Sequence, residues 1–309
     1  MSRPDAPRPR LRTSSFTSEL PRRRSLQPAG YLWLLPAMIV SVGLLYYSIG
    51  YTGVISTLDW DGSSPDPRSV GGGNYVALLQ DPIFWTAIRN TVVFFVVTFA
   101  VQTVLGLVFA ALLHSRAHLA VIYKVFVFVP VVLAPAFMAP VFRQIFAADG
   151  PFNWFLEHVG LGFAAQSWLA DTSTALGIVT AVAIWNGTGL NFVLYYAAIG
   201  QIDPEMLEAA RIDGAGNLRV LMSMVFPSVR GTTLALGILS AIGALKTFDI
   251  PYLVTAAGPN HATEFLGTYI YTQSIPQGHV GYGAALSIML LLVAIVMAVL
   301  SGMRNRRPA

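Results

Sequence analysis

Read as a pattern of apolar and polar positions, the chain resolves into six long apolar runs separated by shorter polar stretches. The runs cover residues 31–56, 87–113, 121–142, 175–200, 232–254 and 281–303. Each reaches about 20 residues or more, the length an α-helix needs to cross ~30 Å of hydrocarbon. None alternates with the period of two that marks a barrel strand. Lipid cannot satisfy open backbone groups, so each run is predicted to be a membrane-spanning helix. The predicted fold class is an all-α membrane protein with six transmembrane helices within residues 31–309. Residues 1–30 form a basic tail with Pro and Ser, of a composition expected to be disordered. The first run is too long for the core of a secretory signal, and no A-x-A-like site follows it.

Composition agrees with this pattern. The 309 residues are 55% hydrophobic and 11% charged, against about 25% charged in soluble domains. There is no cysteine, which excludes disulfides and thiolate chemistry. Positive charge is sorted by side. With six crossings, one side receives the seven tail arginines from Arg3 to Arg24, then Arg116, Lys124, Arg211, Arg219, Arg230, Arg304, Arg306 and Arg307. The other side receives only Arg68, Arg89, Arg143 and Lys246. By the positive-inside rule both termini are expected in the cytoplasm, in a multi-pass protein of a bacterial-type inner membrane. The net charge of +4 follows from topology and does not indicate nucleic-acid binding.

One polar stretch, residues 203–227, stands out between the fourth and fifth runs. Asp203-Pro204 reads as an N-cap followed by Pro at the first helical position. Glu205 and Glu208 sit where the helix dipole favours anions, and Gly214 suits a helix stop. Asn217 reads as a second N-cap, with a second short helix expected to end before Pro227. Glu208 and Arg211 would share a face, and Ala209 and Ala210 would allow close backbone approach. The prediction is a helix–turn–helix knob at the membrane surface, shaped to enter a socket on another protein.

Glu208-Ala209-Ala210, three residues, Gly214, nine residues and then Met224-Val225-Phe226-Pro227 resemble the EAA loop of binding-protein-dependent ABC importer permeases, E-A-A-x3-G-x9-I-x-L-P. Met224 and Phe226 stand in for Ile and Leu. Asp213-Gly214-Ala215 resembles the D-G-A of the sugar-importing branch. Further resemblances are Asn74–Thr91 to the start of the second core helix and Lys246–Asn260 to a segment ending T-x-G-G-P, here with Ala257 for the first Gly. Gly281–Ser287 is similar to the start of the last helix. The resemblance implies a MetI-like permease of the maltose-type or glycerol-phosphate-type branch. It places Glu208, Ala209, Ala210, Asp213 and Gly214 in contact with an ATPase, whose closure would rock the permease helices. It implies four kinds of partner: a second homologous permease, two ATP-binding subunits, an extracytoplasmic solute-binding protein, and a small-molecule sugar, with no nucleic acid among them. The end of the chain lacks the Gly-Ala-x-Lys-Gly-like tail of the other permease half, which favours a heterodimer. No catalytic residue, metal site or cofactor is expected in this chain. ATP and Mg would be bound by the partner, because neither Lys124 nor Lys246 follows a Gly and no phosphate loop exists.

Polar residues inside crossings mark candidate pathways. The fourth run offers Trp185, Asn186, Gly187 and Leu190, with an indole for a sugar's C–H face and an amide for hydroxyls. The fifth offers Ser240, Ala244 and Thr247 on one face, with Gly243 beside them. Counted from the EAA loop, these segments resemble the cavity-lining ones of maltose-type permeases. The alternative is that Asn186, Asn191 and Ser240 are interhelical hydrogen-bond glue, with Gly237 and Ala241 a packing pair. Lys246 is expected near the outer side, snorkelling or paired with Asp249.

Val280-Gly281-Tyr282-Gly283 superficially matches a potassium-filter sequence, but a full crossing follows at once and a glycine-rich helix start explains it better. His114 and His118 have no Glu partner and read as solvated. Gly71–Tyr75 follows no predicted strand and is expected to be a flexible outward loop. A glycerol-phosphate importer, and from another class an ATP-independent channel or carrier, are the alternatives to a sugar importer.

Overall fold

A computed structural model describes residues 28–114 and 120–304. Arg116, His118, the last five residues and most of the predicted tail lie outside the described residues. The chain divides into two units, Met1–Ile49 and Gly50–Ala309. Helix α1 covers Pro28–Ile55, so the final residues assigned to the tail are helical.

In the second unit, a two-residue hairpin pairs β1 (Leu58–Asp59) with β2 (Arg68–Ser69) in antiparallel register. There follow α2 (Gly73–Gln80), α3 (Pro82–His114), α4 (Ala120–Val132), α5 (Pro135–Ile145) and α6 (Pro151–His158). A 3-10 turn at Gly162–Ala164 leads to α7 (Ala175–Ile199) and α8 (Pro204–Ile212). Next come α9 (Asn217–Val220), a π-helical turn (Leu221–Val225) and α10 (Phe226–Ser228). The chain ends with α11 (Arg230–Leu245), α12 (Asp249–Thr255), α13 (Leu266–Ser274) and α14 (Val280–Arg304).

Among the described residues four helices are long and apolar enough to cross a membrane: Trp33–Ile55, Pro82–His114, Ala175–Ile199 and Val280–Val299. The third run, predicted as one helix over 121–142, is broken. Val121–Val132 and Pro135–Ile145 meet at 97°. The cause is Pro135, which drives Ala134 into an extended conformation (ψ 139°). The fifth run, predicted over 232–254, ends instead at Leu245, and residues 249–255 form the separate α12. Pro251 explains this, since its ring would clash with the Thr247 carbonyl in a continuous helix. The preceding helical segment Asn217–Ser228 meets Arg230–Leu245 at 70°. Counting each of these two bent pairs as one span gives up to six.

Helix α7 is central. A Cβ on Gly106 of α3 would stand 2.8 Å from Asn191 Cβ, and one on Gly189 would stand 2.6 Å from the Val127 carbonyl of α4. Small residues thus let two neighbours approach α7 at backbone distance, as expected where helices associate without a hydrophobic drive. Gln102 of α3 donates to the Ala183 carbonyl at 3.1 Å. With Gly106 beside Asn191, this sets α3 parallel to α7. Tyr195 donates to Thr233 of α11 at 2.9 Å, and Ala183 shares a buried cluster with Ala244, so α11 runs antiparallel.

Residues 71–75 are not a loose loop. Gly73 opens α2, Asn74 donates to the carbonyls of Ser56 (2.8 Å) and Leu58 (2.9 Å), and the Tyr75 and Ser56 hydroxyls bond at 2.7 Å. The glycine-rich start of α14 has a steric reason: side chains at Gly281 and Gly283 would run into the Leu58 carbonyl and Ser274 Oγ. At this end Asp81 binds α2, α3, α13 and α14 together. It accepts from Ile83 N–H (2.8 Å) and from the hydroxyls of Tyr269 and Tyr282, the latter at 2.7 Å. Burial pushes the Asp81 carboxyl up, but the two phenols and the backbone N–H groups of Ile83 and Phe84 outweigh it and hold the carboxyl below its ordinary range.

Candidate functional site

The polar stretch folds as a helix capped at both ends. Asp203 Oδ1 accepts from Glu205 N–H at 2.9 Å, and Pro204 opens α8. At the far end Gly214 adopts a left-handed conformation, φ +82°. Ala215 N–H bonds the Ala210 carbonyl at 2.9 Å and Gly214 N–H bonds the Arg211 carbonyl at 3.0 Å. These two bonds are the Schellman pattern, which needs a residue able to take positive φ. The second cap falls one residue earlier than predicted, with Gly216 as N-cap and Asn217 already helical. The helix also runs through Pro227 to Ser228 and bends at Val229. Pro227 has no N–H to give, so the disturbance appears as the π-helical turn before it and the bend after it.

The five predicted coupling residues divide by exposure. Ala210 is buried and packs with Tyr195, Ile199, Val220 and Leu107 in the core between α3 and α7. Glu208, Ala209, Asp213 and Gly214 are exposed. Among the described residues Glu208 and Arg211 form no ion pair. Sequence reasoning missed the apolar part of the knob: Ile212 is 85% and Leu218 73% exposed. Large apolar side chains held out by a capped helix suit an interface core flanked by charge. Beside the knob, a cavity of about 690 Å³ opens between the end of α7 and the start of α11, lined in part by Gln201, Asp203, Met206 and Thr232.

The predicted pathway residues separate further. Trp185 is 42% exposed and meets Phe142 of α5 edge-on at 5.2 Å. Asn186 donates to the Pro130 carbonyl at 2.6 Å. Gly187 faces Gln102, whose amide a Cβ would strike. Leu190 and Gly243 are exposed, and Ser240 is half-buried. Ala244 is 3% exposed, in a cluster with Phe94, Val179 and Ala183, so it faces the core. Thr247 lies beyond the end of α11, its hydroxyl donating back to Gly243. It therefore does not continue the Ser240 face. Lys246 is exposed and, among the described residues, has no ion pair with Asp249. Asn186 and Asn191 both bond across or along helices, Asn191 to Gln102 at 3.4 Å, as the glue alternative required. Ala241 is buried and Gly237 packs on Phe99.

Two further polar sites were missed. Buried Asn90 donates to the carbonyls of Ala262 and Glu264. Glu264, fully buried, is bonded by His261 at 2.7 Å and Thr268 at 2.6 Å. Together they order the segment after α12, where Ala257 takes φ +64°, the conformation that a glycine of T-x-G-G-P would adopt freely. Asn90 and Gln102 are visible in the sequence as polar residues of the second run, a signal of the same kind as those of the fourth and fifth.

Comparison with known proteins agrees with this geometry. The family described as "Binding-protein-dependent transport system inner membrane component" matches residues 102–308. The chain is 30% identical over 273 residues to the probable ABC transporter permease protein YurN of Bacillus subtilis, covering 87% of this chain and 93% of that one. It is 30% identical over 288 residues to the lactose transport system permease protein LacF of Rhizobium radiobacter, covering 92% and 96%. A bacterial ABC transporter that imports the acidic polysaccharide alginate has a chain of the same fold, with TM-score 0.77 at 21% identity, covering 90% and 95%. The match extends from Gln102 in α3 through the capped knob to α14, and the chain therefore belongs to the binding-protein-dependent transport system inner membrane components.

Proposed function

We propose that the chain is the membrane-spanning permease subunit of an ATP-binding-cassette importer that carries a sugar, a disaccharide or oligosaccharide, into the cytoplasm. ATP is hydrolysed on a separate subunit, and this chain contributes no catalytic group. Both termini and the α8 knob face the cytoplasm, following the sorted positive charges. The observation that carries the reading is the knob itself: α8 is capped at both ends, anchored through Ala210, and presents Glu208 and Ile212 outward, with Asp213 at its end and Leu218 of α9 exposed beside it. The knob meets an ATP-binding subunit, and closure of that subunit moves α7 and α11, which flank the cavity behind it. Trp185, Asn186, Leu190, Ser240 and Gly243 border the sugar's route, with a second permease of the same kind completing the passage. A solute-binding protein delivers the sugar on the other side.

The test is affinity purification of the tagged chain in mild detergent, with mass spectrometry of what accompanies it, followed by uptake of labelled sugars by the reconstituted assembly. Recovery of a second permease and an ATPase, with ATP-dependent sugar uptake, is expected. A chain recovered alone, moving solute without ATP, overturns the reading.

A further inference from the structure

Five aromatic rings make an unbroken series from the loop before α7 into the middle of α7. Trp185 meets Phe142 at 5.2 Å between centroids, and Phe142 stacks on Phe146 at 6.4 Å. Phe146 meets Phe152 edge-on at 5.1 Å, and Phe152 meets Trp168 edge-on at 5.2 Å. The rings come from α5 and the residue that caps it, α6, α7 and the loop between α6 and α7; Phe142 and Phe146 are helical i,i+4 neighbours, and the other three contacts join separate elements.

The outer end of the series is fixed by polar bonds. Trp168 Nε1 donates to Asn153 Oδ1 at 2.7 Å. Asn153 is 4% exposed and also donates to the carbonyls of Ala148 (2.9 Å) and Gln166 (2.8 Å). One buried amide thus sets the loop and the indole that ends the series.

Two features separate this series from ordinary packing and from a lipid-facing belt. First, none of its rings is buried: Trp185 is exposed and the other four are half-buried, whereas the core rings Phe84, Phe192, Tyr195 and Phe265 are at most 1% exposed. Second, interfacial aromatics collect at one depth, but this series changes depth. Trp185 lies ten residues into α7, about 15 Å along its axis from Ala175, while Trp168 precedes the helix. Arg143, Gln144 and Gln166 are exposed polar residues of the same segments.

A pyranose has apolar C–H faces and a rim of hydroxyls, and a line of half-open rings offers a stacking surface for those faces at each step. We infer that Trp168, Phe152, Phe146, Phe142 and Trp185 form a carbohydrate-stacking track leading from the 147–174 loop to the middle of α7. The inference rests on the sugar-importer reading above.

The experiment uses the complete importer in proteoliposomes, with labelled lactose, maltose, cellobiose and diacetylchitobiose as probes. In an assembly that carries one of these sugars, Phe146→Leu and Phe152→Leu are expected to lower uptake at subsaturating sugar about 3- to 10-fold each, the scale of one lost stacking contact. Phe146→Tyr, which keeps the ring, is expected to retain uptake, and Phe155→Leu, off the series, to change nothing. Assembly and basal ATP hydrolysis are expected to stay intact in all four. Full uptake by the Leu variants overturns the track and leaves the importer reading standing. So does a loss that Tyr does not rescue and that accompanies failed assembly, which marks the rings as packing. If the unsubstituted assembly takes up none of the four sugars with ATP, the sugar reading falls and the track with it.

Discussion

The side-chain amide of Asn186 donates to the main-chain carbonyl of Pro130 at 2.6 Å. The last carbonyls of a helix have no partner within it, and α4 ends two residues later at Val132. In a membrane segment such a group must find another donor. Leu133 N–H, just past the helix, reaches this carbonyl at 3.2 Å, and Asn186 adds a shorter bond from α7, so the 97° break between α4 and α5 is tied to α7 at the level of Trp185.

Asn186→Leu is expected to lower the stability of the detergent-solubilised chain by about 1 kcal/mol, in the range measured for interhelical hydrogen bonds in membranes. The check is the thermal midpoint beside sugar uptake. An unchanged midpoint with weakened uptake would place this amide on the sugar and not on the break.

Two glycines that look alike in the sequence should respond oppositely. At Gly189 a Cβ meets the Val127 carbonyl at 2.6 Å and a Val131 methyl at 2.6 Å, so Gly189→Ala is expected to cost about 1–3 kcal/mol. Gly243 has nothing within 4 Å and sits inside α11, so Gly243→Ala should stabilise the helix by about 0.5–1 kcal/mol. Both are read as thermal shifts. If Gly243→Ala also slows uptake, it supports Gly243 as part of the sugar's route.

On the knob, apolar contact is expected to outweigh charge. If the proposed contact holds, Ile212→Asp should weaken association with the ATP-binding subunit at least 10-fold, since it places a charge in the core of the proposed interface. Glu208→Lys should do so by a smaller factor that shrinks in high salt. Pull-down titration at two salt concentrations measures both. Equal retention of the ATPase by Ile212→Asp would remove the knob from the interface.

The Asp81 carboxyl is held below its ordinary range. A depressed folded-state value means that Asp81 stabilises the fold above the unfolded carboxylate value, near pH 4. That contribution is lost as the pH falls through the depressed value. Asp81→Asn should therefore lower stability at neutral pH and flatten the acid limb of a stability–pH curve. Identical acid limbs in the two proteins would show that another group governs it.

The elements most legible in the sequence were those fixed by local chemistry. Asp203-Pro204 and Gly214 were read as caps and function as caps, because a cap depends on a few adjacent residues. The apolar runs were visible, but their breaks were not. Apolar side chains continue across Ala134, where Pro135 interrupts the helix through backbone geometry alone; at the second break the polar Lys246, Thr247 and Asp249 accompany the interruption that Pro251 imposes. Side-chain roles between distant segments were the least legible. Nothing near Asn186 announces that α4 ends opposite it, and nothing near Ala244 announces Phe94. Ile212 and Leu218 are hard to single out in the sequence, because apolar residues in so apolar a chain carry little contrast until their exposure is known.

The close contacts on two sides of α7 have a mechanical consequence. With 25 residues the helix is about 37 Å long, comparable to the thickness of a bilayer. Its neighbours touch its backbone at Gly106 and Gly189, leaving no compressible layer of side chains at those points. Such a helix behaves as a strut between bearings: displacement at the Ile199 end must reappear at the Ala175 end, and bending is left to the proline-marked joints at Ala134, Val229 and Phe248.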